Sequence, residues 1–190
     1  MRVIGGSARG RKLIAPARPK AAGSAGVRPT SDLVRGVIFD MLDALGADYA
    51  RVLDLYAGTG ALGIEALSRG EGTADFVESD AQTAGLIEAN LRALALAPRA
   101  RVHRLTAERA GGRLSGPYTL VLADPPYYDA GALAVVQAVA ASGLVDGRTV
   151  LVLEHERRAP PPGAMGPLPL YRSRRHGDSV VSIYAQEETT

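Results

Sequence analysis

The chain has 190 residues, of which 46% are hydrophobic, a formal net charge of +2 and no cysteine. That length suits one compact domain with a small appendage and is too short for two full domains. The absence of cysteine excludes disulfides, thiol catalysis and cysteine-based zinc sites. Only three histidines (His103, His155 and His176) are present, so no histidine-rich metal site is expected, and no apolar run of about 18 residues exists to span a membrane.

The charge is unevenly distributed. Residues 1–30 carry Arg2, Arg9, Arg11, Lys12, Arg18, Lys20 and Arg28 and no acidic side chain, which leaves 15 basic and 20 acidic residues in the remainder. A basic arm on a mildly acidic domain suits a nucleic-acid partner, because the arm can sit on phosphates while the domain does chemistry. A merely solvated N-terminus is the alternative. The opening MRVIGGSARGRK lacks the apolar core of a signal peptide, so a cytoplasmic location is expected.

Taken in order, the runs over residues 2–6 and 10–14, separated by Ser7, Ala8 and Arg9, predict a small accessory hairpin rich in exposed arginine. Residues 15–26 are rich in Pro, Ala and Gly and read as a loop. Thr30 or Ser31 then caps a helix through Val34, Val37, Ile38, Met41 and Leu42. The apolar run Val52, Leu53, Leu55 predicts a strand covered on both faces, with Asp54 inside it. Gly58, Gly60 and Gly63 follow at G-x-G-x-x-G spacing, and a helix then alternates Leu62, Ile64, Ala66 and Leu67 with Glu65 and Arg69 as far as Gly70. Further strands are expected over 73–77, 100–105, 118–123 and 149–154, with helices over 81–96, near Glu108 and over 130–142. A proline-rich connection over 160–169 leads to a closing pair of strands, 168–172 and 180–185, joined through His176-Gly177-Asp178. This alternation predicts an open α/β sheet.

The glycine spacing fits two ligand classes. One is a dinucleotide, with its pyrophosphate on the helix N-terminus. The other is S-adenosylmethionine, with its methionyl part along the loop. Glu78, 20 residues beyond Gly58, suits a ribose hydroxyl pair in either case. The motif Asp124-Pro125-Pro126-Tyr127, at the end of a predicted strand, separates the two, because a dehydrogenase has no use for it. An exocyclic amino group on a base is a poor nucleophile, since its lone pair is delocalised into the ring until the nitrogen pyramidalises. Asp124 can accept one N–H and the Pro125 carbonyl the other, adjacent prolines stiffen the chain, and Tyr127 can stack on the base. A proline turn closing a strand is the plainer reading of the motif. For Asp54 a role tying down the loop glycines stands beside direct contact with a cofactor amino group, and His103 and His155 read as structural.

The segments RVIGGSARGRKL, RPTSDLVRGVIFDML, DLYAGTGALGIEALSRG, DPPY and RRHGDSVVSIY together resemble the bacterial 16S rRNA guanine-N2 methyltransferase D family, over nearly the whole chain. The resemblance implies a Rossmann-like class I methyltransferase sheet of seven strands, the last antiparallel, with an N-terminal hairpin extension (residues 1–30) on a methyltransferase domain (31–190). It implies methyl transfer from S-adenosylmethionine to N2 of one guanine in 16S rRNA of the small ribosomal subunit. The amino-group chemistry requires no metal, and a monomer is expected. By position, Asp54, Tyr56, Gly58 and Gly60 would line the methionyl side of the cofactor, Glu78 and Ser79 the ribose, and Thr106 and Ala107 the adenine. Asp124, also counted among the cofactor-binding residues, would hold the guanine with Pro125, Pro126 and Tyr127, with Arg9, Arg11, Lys12, Arg28 and Thr30 on RNA. The chain departs from the family pattern at Tyr56 (usually Phe), Leu33 (commonly basic), Thr106 (commonly Asp or Asn) and His176 (usually Tyr). The rivals are an amino methyltransferase acting on adenine N6 of DNA or on another RNA guanine, a nicotinamide-dependent dehydrogenase, and a non-catalytic RNA-binding protein.

Overall fold

A computed structural model describes residues 1–15, 32–126, 131–158 and 160–187. Its framework is a single eight-stranded sheet: β1 (Arg51–Leu55), β2 (Thr73–Val77), β3 (Ala100–His103), β4 (Leu120–Ala123), β5 (Val150–Glu156), β6 (Ala164–Met165), β7 (Leu168–His176) and β8 (Ser179–Tyr184). The order across the sheet is β3-β2-β1-β4-β5-β8-β7-β6. β1 to β5 are parallel, whereas β8 inserts antiparallel between β5 and β7. The fold class is the expected one. The eighth strand is the two-residue β6, which pairs with the start of β7 inside the proline-rich connection.

The four helices are α1 (Asp32–Leu45), α2 (Ala61–Arg69), α3 (Ala81–Ala93) and α4 (Ala132–Ala140). One face of the sheet (Val52, Leu120, Leu122, Val152, Val181, Ile183) packs against α1, α2 and α3. The other (Leu53, Leu55, Val121, Ala123, Leu151, Leu153) packs against α4 and a short 3-10 segment at Ala107–Gly112. The central strands are thus covered on both sides, which is why they read as near-continuous apolar runs. The candidate caps Thr30 and Ser31 lie outside the described residues. α3 stops at Ala93, short of the expected Leu96, because Ala95 turns to φ 58° and Pro98 enters a 3-10 turn over Ala97–Arg99. No helix among the described residues is long and apolar enough to cross a membrane.

The N-terminal segment is an antiparallel pair with a bridge at Arg2–Lys12 and reciprocal backbone bonds between Val3 and residues 10 and 11. Val3, Ala8 and Leu13 are buried in the same apolar cluster as α1 to α3. The segment is anchored on α2, where Glu65 accepts from the Ile4 and Gly5 amides at 2.8 and 2.6 Å. Ser68 Oγ accepts from the Ala8 amide at 2.9 Å and donates to the Gly5 carbonyl at 2.6 Å. The sequence pattern put Glu65 on the polar side of α2, but the structure buries it completely. The docked segment creates a second interior on that side of the helix, and Glu65 finds its partners there.

Candidate active site

β1, β2 and β4 end side by side, and each presents a carboxylate at its carboxyl end, where open α/β sheets bind ligands. Asp54 is buried, Glu78 is nearly so and Asp124 is half-buried. Asp54 Oδ2 accepts from the Gly63 amide at 2.8 Å. Glu78 spans two loops, because Oε2 accepts from the Gly58 amide at 2.9 Å and Oε1 from the Asp80 amide at 2.8 Å. Each oxygen keeps acceptor capacity for a ligand hydroxyl. Burial pushes the Asp54 carboxyl well above the ordinary aspartate range; the Gly63 amide opposes that shift, while the charges of Asp124 and Glu78 add to it. The three acidic groups therefore act on one space.

The loop between β1 and α2 holds unusual backbone. Tyr56, Gly58 and Gly60 have φ of 57°, 55° and 78°, a region that costs a non-glycine residue such as Tyr56 about 1 to 3 kcal/mol and that clusters at ligand sites. Gly63 has a different duty, since a Cβ there would stand 2.4 Å from the fully buried Phe76 ring and 3.0 Å from Asp54 Oδ2. Gly63→Ala is expected to destabilise the fold by about 1 to 3 kcal/mol through overpacking, measured by denaturant unfolding. A variant as stable as wild type would mean that Phe76 can move aside.

Of the other expected residues, Ser79 is exposed beside Glu78, and Ala107 is buried at the start of the 3-10 segment. Thr106 is exposed and hydrogen-bonds the Glu108 carboxyl, holding it below its ordinary range. Pro125 is buried and Pro126 half-buried behind Asp124. Tyr127, Arg28 and Thr30 lie outside the described residues. Arg9, Arg11 and Lys12 are all exposed on the N-terminal segment. Arg11 also donates to the Ala93 carbonyl at 2.8 Å, at the C-terminal end of α3, where a cation is favoured.

Asn90 is the residue that sequence reasoning missed. Its side chain accepts from the Ile14 amide at 2.7 Å and donates to the Ile14 and Thr59 carbonyls at 3.1 and 3.2 Å. It thus joins the end of the N-terminal segment to the glycine loop. The available signal was an amide on the apolar stripe of α3, between Ile87 and Leu94.

No cationic side chain pairs with Asp54 or Glu78 among the described residues. A ligand bringing positive charge and hydroxyls would relieve this cluster, whereas a pyrophosphate would meet it with like charge. The charge of ionised Asp54 costs stability above its raised native value, and that cost disappears as pH falls through that value towards 3.8. Asp54→Asn keeps an acceptor for Gly63 and removes the charge. In ligand-free protein it is expected to melt above wild type at alkaline pH, with the gap narrowing as pH falls towards 3.8; a pH-independent gap would contradict the raised ionisation.

The strand order, the glycine loop and the acidic carboxyl edge are those of a class I methyltransferase. The family model "Conserved hypothetical protein 95" matches residues 1–185. YlbH of Bacillus subtilis (strain 168) is 36% identical over 187 residues, covering 97% of this chain and 98% of that protein. Ribosomal RNA small subunit methyltransferase D of Escherichia coli (strain K12) is 32% identical over 187 residues, covering 98% and 90%. The solved structure of yhhF from Escherichia coli superposes with a TM-score of 0.82 at 32% identity, covering 98% of both chains. The chain belongs to the ribosomal RNA small subunit methyltransferase D family.

Proposed function

We propose that this protein transfers a methyl group from S-adenosylmethionine to the exocyclic N2 of one guanine in 16S rRNA of the small ribosomal subunit. The observation that carries the reading is the convergence of Asp54, Glu78 and Asp124 at one sheet edge, the first two without a cationic partner among the described residues, in a chain of this family. When bound there, S-adenosylmethionine supplies a methyl group made electrophilic by its sulfonium. Asp54 and the loop of Tyr56, Gly58 and Gly60 hold the methionyl side, Glu78 and Ser79 the ribose hydroxyls, and Thr106 and Ala107 flank the adenine. Asp124 accepts one N–H of the guanine amino group and the Pro125 carbonyl the other, with Pro126 fixing their direction. Both contacts favour the pyramidal nitrogen, so they strengthen towards the transition state. Tyr127 stacks on the base. The proton released on methylation passes to Asp124 or to solvent.

The N-terminal extension (residues 1–30) acts in this reading as the RNA-contacting part, through Arg9, Lys12, Arg28 and Thr30 and through Arg11, and residues 31–190 do the chemistry. The test is genetic. Mass spectrometry of 16S rRNA from cells lacking the gene should show the loss of one N2-methylguanosine, restored by the wild-type gene but not by the Asp124→Ala gene. Unchanged 16S modification in the deletion would defeat the reading.

A further inference from the structure

The N-terminal segment is not the only basic surface. Arg157 and Arg158 follow β5, and Arg172, Arg174 and Arg175 lie along β7; all five are exposed. None of them makes an ion pair among the described residues, although Glu156 and Asp178 are close in sequence. The Arg157 amide donates to the Asp178 carbonyl at 2.9 Å, which ties the turn after β5 to the turn between β7 and β8.

Register relates this cluster to the active site. β5 and β7 are both antiparallel to β8, so they run the same way and β7 ends at the carboxyl edge where Asp124 stands. Leu122 aligns with Val152, Ile183 and Arg172 across four strands. One row further on, Glu154 aligns with Val181 and Arg174, next to Asp124 just past the end of β4. Arg172 and Arg174 therefore share the sheet face of Asp54 and Asp124. At about 4.8 Å per strand, Arg174 lies about 14 Å from Asp124 across the sheet. Tyr171 is 37% exposed, and the Arg172 guanidinium lies 5.6 Å from its ring centroid, so a planar surface accompanies the charge.

We propose that Arg157, Arg158, Arg172 and Arg174, with Arg175 on the other face of the β7 end, form a second phosphate-binding surface around that end of the sheet, which holds the RNA backbone on the side of the active site opposite the N-terminal segment. That segment sits on α2 and α3, over the β1 to β3 half of the sheet, whereas β7 lies beyond β5 on the other side. RNA gripped on both flanks is oriented over Asp124 without any contact to the base being methylated. The inference rests on an RNA substrate.

The test compares wild type, R172Q/R174Q/R175Q and, as a charge control, R101Q/R148Q, whose two arginines are exposed elsewhere. Methyl transfer to small ribosomal subunits isolated from cells lacking the gene and binding to a 16S-derived RNA are measured as functions of salt. The triple variant should raise KM about tenfold, leave kcat within about twofold, and lower the salt slope of RNA binding by about two, since single-stranded contacts contribute about 0.7 each. The control should behave as wild type. A triple variant with wild-type KM and salt slope would overturn the surface. A wild-type enzyme that fails to methylate subunits would instead defeat the functional reading, and the RNA-binding slopes would still decide the surface.

Discussion

Asp124→Ala is expected to abolish methyl transfer while leaving affinity for S-adenosylmethionine within a few-fold. Asp124 stands one residue past β4, half-buried and followed by the buried Pro125. Its proposed contact is with the base, and the contact strengthens as the amino nitrogen pyramidalises. Losing one preorganised group of this kind lowers kcat by about 10²- to 10³-fold. Asp124→Asn keeps one acceptor oxygen but cannot take up a proton, so it should fall between alanine and wild type. Single-turnover rates at saturating cofactor, with cofactor titrations beside them, check both variants. Near-normal turnover of the alanine variant would remove the acceptor from the mechanism, and parallel loss of cofactor binding would reassign Asp124 to the cofactor.

Glu65→Ala should cause the largest loss of stability. Glu65 and Arg35 are both fully buried, with Arg35 Nε 3.7 Å from Glu65 Oε2. Glu65 also accepts from two N-terminal amides and from Arg69 Nε, the last at 3.0 Å. Arg35 in turn donates to the Arg2 carbonyl and to Asp32 Oδ1 at 2.5 and 2.7 Å. Among the described residues, removing the carboxylate leaves the buried guanidinium with only the half-exposed Asp32 as a compensating charge, and leaves the Ile4 and Gly5 amides without this acceptor. Breaking a buried pair from one side costs about 3 to 5 kcal/mol, which for a chain of this size lowers Tm by roughly 10 °C. Thermal and denaturant melts measure the loss, and early proteolysis within the first 15 residues should accompany it. A change below about 1 kcal/mol would show that the N-terminal segment docks through its apolar residues alone.

What the sequence made legible follows from the range of the interactions involved. β4 was readable because burial on both faces leaves an unbroken apolar run, β1 because its run is broken only by Asp54, and the glycine loop because its backbone tolerates few other residues. The docking of the N-terminal segment was not readable. Its contacts join residues about 60 to 76 positions apart, and they are made by Glu65, Ser68 and Asn90, polar residues that local periodicity assigns to a surface. β7 runs to His176, well past the expected Arg172, because beyond its two-residue pairing with β6 it carries exposed arginines and has no apolar alternation to mark it. The three carboxylates were found separately as motif residues. Their mutual influence on Asp54 appeared only when β1, β2 and β4 were set side by side.

The most direct test of the central claim is transfer of labelled methyl from S-adenosylmethionine by purified protein to small ribosomal subunits from cells lacking the gene, followed by nuclease digestion and identification of the labelled nucleoside. The account predicts label in N2-methylguanosine of 16S rRNA. Label in DNA, tRNA or protein, with none in 16S rRNA, would contradict it.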